Sequence, residues 1–183
     1  RGDQIVYLQG YGRADSSGRP VTPQTPFQIG SITKPITALA VMQLVESGQV
    51  DLDASVHRYI PWFRTANAAD SNRITVRMLI NQTSGLPQRP TLATWAWPDE
   101  PGAIERHVRL LAGVELKFPP GQAFAYSNAN YVTLGLLIQA VSGLSYDEYL
   151  RRNIFIPLDM GNSFTSQDAA VRRGMASGHR WWF

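Results

Sequence analysis

Cysteine is absent from all 183 residues, which excludes disulfide staples, thiolate chemistry and a cysteine-ligated metal site, and leaves the redox compartment open. Lysine is almost as scarce: Lys34 and Lys117 stand against fifteen arginines. The three histidines, His57, His107 and His179, are isolated and lack ligand spacing, so neither a metal nor a cofactor is expected. No apolar run approaches the roughly 20 residues of a membrane span, and no stretch reads as a signal peptide. The net charge of +3 is modest and the arginines are scattered apart from Arg151-Arg152 and Arg172-Arg173, which is no nucleic-acid footprint. What is present suffices to fold. With 44% hydrophobic and 17% charged residues, the chain can fill one core or build two small lobes around a cleft.

The organising stretch is residues 27–47, FQIGSITKPITALAVMQLVES. Between 36 and 45 only Thr37 and Gln43 are polar, a pattern that predicts a helix buried nearly all round in the middle of the fold. Ser31 and Lys34 are three apart and share a helix face, close enough for an amine to take a proton from a hydroxyl. Two readings stand. Ser31 caps the helix beside a solvated Lys34, or the two form a nucleophile with its base. One of only two lysines falls here, which weighs for the second, because a guanidinium stays charged whereas an amine at a helix N-terminus can have its pKa lowered towards neutrality. Pro35 removes one donor where the first turn tolerates the loss.

In chain order, Arg1-Gly2-Asp3 reads as hairpin-turn chemistry rather than an adhesion tripeptide, and residues 4–8 read as a strand ended by Gly10-Tyr11-Gly12. Residues 15–26 are a loop, and 27–29 a second short strand. A short apolar segment spans 56–63. A helix capped by Thr75 covers 74–80 and ends at NQTSGLP, where Asn81 opens a formal glycosylation sequon of little weight. Residues 91–102, with Trp95 and Trp97, form an irregular aromatic loop, and 103–114 an amphipathic helix stopped by Phe118-Pro119-Pro120-Gly121.

A second chemical stretch, FAYSNANY at 124–131, sits on a loop directly before an apolar helix at 132–141. A tyrosine there is ordinarily a satisfied core residue. Beside a Ser-x-x-Lys helix, however, the Tyr126 phenol can share the serine's proton and the Asn128 amide can bind a carbonyl and orient the lysine. A further helix is predicted at 146–154, then a turn at 157–161 and an aromatic tail at 179–183.

Taken together, FQIGSITK, NQTSGLP, the proline-glycine lead into YSN and the helix after it resemble the serine beta-lactamase and penicillin-binding protein superfamily, nearest its class C, carboxypeptidase and esterase branch. Ser-x-x-Lys is the signature of that superfamily, followed there by Ser-Asp-Asn and in the branch resembled here by Tyr-x-Asn. The resemblance implies that Ser31 is the acylated nucleophile and one oxyanion donor, Lys34 its base partner, Tyr126 the general acid/base and Asn128 a substrate-binding amide. It also implies an α+β fold of beta-lactamase/transpeptidase type, a mostly helical lobe plus an incomplete antiparallel sheet. Residues 1–50 would belong to the sheet lobe with the nucleophile helix, 51–165 to the helical lobe, and 166–183 to the return.

The third motif of the resembled family, Lys-Thr-Gly or His-x-Gly on a strand that brings a second oxyanion donor, does not occur after residue 128. The chain is therefore expected to be a fragment, poor in catalysis by itself, with sheet edges through which it self-associates. The expected activity is a serine hydrolase acting on a small-molecule or peptide carbonyl, periplasmic or extracellular, with membrane attachment left to segments outside this chain. The alternative is a catalytically incomplete penicillin-binding or peptidoglycan-binding module.

Overall fold

Small polar residues start most of the helices. In the computed structural model, which describes residue 2 and residues 4–88 and 102–178, a 3-10 turn at Gly30–Ile32 runs directly into helix α1, Thr33–Glu46. Asn67 opens α2, Ala68–Arg73, its Oδ1 accepting from the amides of Ala69 and Asp70 at 2.9 and 3.3 Å. Thr75 Oγ1 accepts from Met78 N at 3.2 Å and starts α3, Val76–Ile80. Ala103–Arg109 forms α4, continued by a 3-10 turn to Gly113. Ser127 caps α5, Asn128–Ser142, and Ser145 caps α6, Tyr146–Leu150, which passes into a π-helical turn at Arg151–Phe155. Ser166 caps α7, Gln167–Arg172. Each cap satisfies an amide that the helix cannot pair internally.

The middle of the fold is α5, against which α1, α3, α4 and α6 all pack. Its run Leu134, Gly135, Leu136, Leu137 and Ile138 is buried without a break, as expected of a helix with neighbours on every side. Val41 and Leu44 of α1, Leu79 of α3, Val108 of α4 and Leu150 of α6 join it in one core. Thr37 ties α1 to α6 through a 2.7 Å hydrogen bond with the buried Tyr146 hydroxyl. The chain beyond α7 returns to the start of the protein, where the amides of Ala176 and Ser177 donate to Pro26 O and Ala14 O at 2.9 and 2.8 Å.

Three expectations are corrected. Residues 4–8 and 27–29 are not strands: the only β pairings among the described residues are isolated antiparallel bridges, Arg13 with Pro20 and Ser55 with Thr75. Ile5, Val6, Tyr7 and Leu8 lie in no regular element and are exposed by 60 to 77%. Alternation and β-branching suit a strand, yet only a neighbouring backbone makes one. Helix α1, in turn, is not buried all round. Thr37, Ala40, Val41 and Leu44 face the core, whereas Ile32, Leu39 and Met42 are exposed. A helix apolar on every side carries no information about which side its neighbours take. The apolar helix expected at 132–141 also begins earlier, so Asn128 is its first residue and not part of a loop. Arg1, Asp3, the loop with Trp95 and Trp97, and the tail at 179–183 lie outside the described residues.

One-sided burial of α1 has a measurable consequence. Leu44→Ala is expected to cost about 2–5 kcal/mol in urea unfolding, the usual toll of a core truncation, and Leu39→Ala less than about 1 kcal/mol. Equal losses at the two positions would show that Leu39 is covered in solution.

Candidate active site

Ser31 lies in the 3-10 turn at Gly30–Ile32, where Gly30 adopts a φ of 52°, a left-handed conformation that a side chain would strain. The serine is therefore no helix cap: its hydroxyl does not bond back to the first turn of α1. Lys34 follows in that first turn, and Pro35 takes a position whose amide would have had no helical partner. Tyr126 and Asn128 flank the cap of α5. Because α1 packs on α5, the two helix N-termini meet, each contributing roughly half a positive charge. Their junction favours oxygen atoms that carry negative charge.

The four residues singled out by sequence are brought together there. Ser31 Oγ and Tyr126 Oη share a hydrogen bond of 2.6 Å. Lys34 Nζ donates to Ser31 Oγ at 3.1 Å and to Asn128 Oδ1 at 2.7 Å. An ammonium only donates, so it fixes the Asn128 amide with its oxygen towards the lysine and its NH2 turned away. Lys34 Nζ also lies 4.7 Å from the centre of the Tyr126 ring and 5.7 Å from that of Tyr131. Burial pushes the Tyr126 phenol up, but the adjacent Lys34 ammonium, the Ser31 hydroxyl and the charge of Lys34 outweigh it, and the net shift is below the ordinary 10.0. A phenol so placed gives up its proton more readily than an ordinary tyrosine. Ser31 is exposed and Tyr126 is 41% exposed, so the cluster is reachable by a ligand. A cavity of about 380 Å³ beside Asp147, Phe155, Met160 and Phe164 shares no residue with it.

The sequence profile of the beta-lactamase family matches residues 1–183. The chain belongs to that family. It is 34% identical over 163 residues to penicillin-binding protein 4 of Amycolatopsis lactamdurans, a match covering 89% of this chain and 42% of that relative. The octameric penicillin-binding protein homologue from Pyrococcus abyssi superposes with a TM-score of 0.74 at 33% identity, over 96% of this chain and 41% of the other. A D-stereospecific amidohydrolase from Streptomyces sp. superposes with a TM-score of 0.63 at 33% identity, over 73% of this chain and 42% of the other. The chain thus spans less than half the length of each of these three proteins.

Several residues beside the cluster escaped the sequence reading. Tyr131 lies under Lys34 and donates its hydroxyl to Ile80 O at 3.0 Å. Gln82, Ser84, Ser127 and Asn130 form a buried polar group behind Tyr126. Gln82 holds a φ of 61°, which costs a side-chain-bearing residue about 1–2 kcal/mol. Gly85, with a φ of 84°, packs where a Cβ would run into the Phe118 carbonyl. The available signal was the polar run Gln82-Thr83-Ser84 between an apolar helix and Gly85-Leu86-Pro87. Nothing in that run says that two of its side chains are fully enclosed. His57 instead bonds the Phe63 carbonyl at 3.0 Å, and His107 is buried on α4 with its pKa lowered by that burial.

The Tyr126 titration checks this geometry. Tyr126 is expected to ionise below 10 in the wild-type chain, and its pKa to rise in Lys34→Met, because removing the cation leaves burial to act with less opposition. Carbon-13 labelling of the tyrosine ring and NMR titration would read both. An unchanged Tyr126 in Lys34→Met would place the lysine away from the phenol.

Proposed function

We propose that the chain carries the nucleophilic machinery of a serine acyl-transfer enzyme. The observation that supports it best is the exposed Ser31 Oγ held between Tyr126 Oη at 2.6 Å and Lys34 Nζ at 3.1 Å. In this reading Ser31 Oγ attacks the carbonyl carbon of an amide, ester or beta-lactam while its proton passes to the Tyr126 phenolate, which becomes the neutral phenol. Lys34, the partner of the pair, favours that phenolate by its charge before the transfer and keeps the serine oxygen in place. The Ser31 backbone N–H and the two helix N-termini stabilise the oxyanion. Tyr126 then returns the proton to the leaving nitrogen or oxygen as the carbonyl–leaving-group bond breaks, giving an acyl-Ser31. Water then loses its proton to the Tyr126 phenolate and attacks the acyl carbon, and the phenol passes that proton to Ser31 Oγ as the acyl–oxygen bond breaks, which releases the acid and regenerates the serine. The Asn128 NH2, turned away from Lys34, is the donor for a carbonyl of the substrate.

The names of the relatives include penicillin binding and D-stereospecific amide hydrolysis. Attack on an acyl carbonyl is the chemistry those names share, and the substrate class is proposed no more narrowly than that. Less than half of each relative is matched, so the activity proposed for the whole protein goes with its entire length.

Incubation with a fluorophosphonate probe, read by intact mass, tests the reading. One adduct is expected on wild type and none on Ser31→Ala. Tyr126→Phe should slow labelling by about 100- to 10,000-fold, the usual range for removing a general base. Lys34→Arg is expected to be nearly as damaging, because a planar guanidinium cannot bridge Ser31 and Asn128 as a point donor does. An adduct on Ser31→Ala would exclude the nucleophile. Reversible binding of a penicillin with no adduct would favour the binding-module alternative.

A further inference from the structure

We infer that Gln82 is the positioning residue for Tyr126, holding the phenol from both sides of its own peptide. This rests on the catalytic reading of Tyr126 given above. Two oxygens of one glutamine are involved. The Gln82 main-chain oxygen accepts from the amide of Ala125 at 2.9 Å, and its side-chain Oε1 accepts from the amide of Ser127, also at 2.9 Å. The residues before and after Tyr126 are thus pinned to a single side chain and its own carbonyl. Gln82 is 6% exposed, so these bonds are made away from water, where leaving a donor unpaired is costly.

The glutamine is itself fixed. Asn130 Nδ2 donates to the same Oε1 at 2.5 Å, and Asn130 Oδ1 accepts from Ser84 Oγ at 2.6 Å. Ser84, Ser127 and Asn130 are all fully buried. Oε1 of Gln82 therefore receives two donors, one from the Tyr126 segment and one from the first turn of α5. Its left-handed backbone turns the main-chain oxygen towards Ala125 while the side chain reaches Ser127. An apolar side chain of the same length would keep the first bond and lose the second. Tyr126 Oη lies at the end of a long, 41% exposed side chain, so a small rotation at residue 127 moves it out of the 2.6 Å contact with Ser31. Misplacement of a reacting group by about 1 Å can cost on the order of 100-fold in rate.

Three readouts on the 1–183 chain test this. Fluorophosphonate labelling of Ser31 is resolved into a saturating rate constant and a half-saturating concentration. In Gln82→Met the rate constant should fall by about tenfold or more, with the half-saturating concentration little changed. In a Tyr126→Phe background the same substitution should change the rate by less than about twofold, because there is no hydroxyl left to place. Amide hydrogen exchange at Ser127 should be faster in Gln82→Met and close to wild type in Gln82→Glu, which keeps the acceptor oxygen. The Leu137 amide serves as the reference for global opening. Equal rate losses with and without the Tyr126 hydroxyl would make Gln82 merely structural and overturn the inference. No labelling of the wild-type chain would remove the catalytic reading instead, and exchange would then decide alone. A Ser127 amide equally protected in wild type and Gln82→Met overturns the positioning, and a selectively faster one sustains it.

Discussion

The packing of α1 on α5 is the contact on which the rest of the site depends. Neither helix alone carries a complete chemical group: the turn into α1 and its first turn supply a serine and a lysine, and the approach to α5 and its first residue supply a tyrosine, a cap and an asparagine. Their shared core, with Val41 and Leu44 on one side and Leu134, Leu137 and Ile138 on the other, brings the two N-termini to one place. The positive ends of both helices and the Lys34 ammonium then act on the same few oxygen atoms. Tyr126 responds through a pKa below that of an ordinary tyrosine, despite the opposing effect of its own burial.

Behind that junction the polar residues are organised differently from those in front. Ser31 and Tyr126 are exposed, whereas Gln82, Ser84, Ser127 and Asn130 are enclosed and bonded to one another or to backbone. Buried polar groups of this kind contribute little net stability for the desolvation they require, but they admit few alternative arrangements. The strained Gln82 backbone and the close approach of Gly85 to Phe118 belong to the same turn. Strain gathered next to a reactive cluster is what a precisely held loop produces when its geometry is over-determined by neighbours.

Two apolar surfaces without cover among the described residues lie near the start of the chain. One is formed by Ile32, just before α1, with Leu39 and Met42 of α1, and the other by the run Ile5 to Leu8. Among the described residues no helix is long and apolar enough to cross a membrane. The α1 surface was expected from sequence to be interior and residues 4–8 to be a strand with open edges, since apolar runs carry no mark of what will stand opposite them. Composition thus gave the apolar character of the α1 face correctly and its surroundings wrongly.

Local rules made much of the remainder legible. Ser31 and Lys34 are one turn apart because three residues along a helix are neighbours on its surface, and the Thr75 cap is a local hydrogen bond. The Tyr126 and Asn128 assignments came from their motif. The spacing of Ser31 and Lys34 and the Thr75 cap follow from covalent geometry, and the sequence by itself determined them. Only the tertiary structure decided that residue 126 lies 2.6 Å from residue 31, that α5 rather than α1 occupies the centre, that residues 4–8 find no strand partner among the described residues, and that Gln82 reaches both sides of Tyr126. Each is a relation between segments far apart in the chain, and a sequence pattern describes one segment's preferences without naming the neighbour against which its surface will be buried.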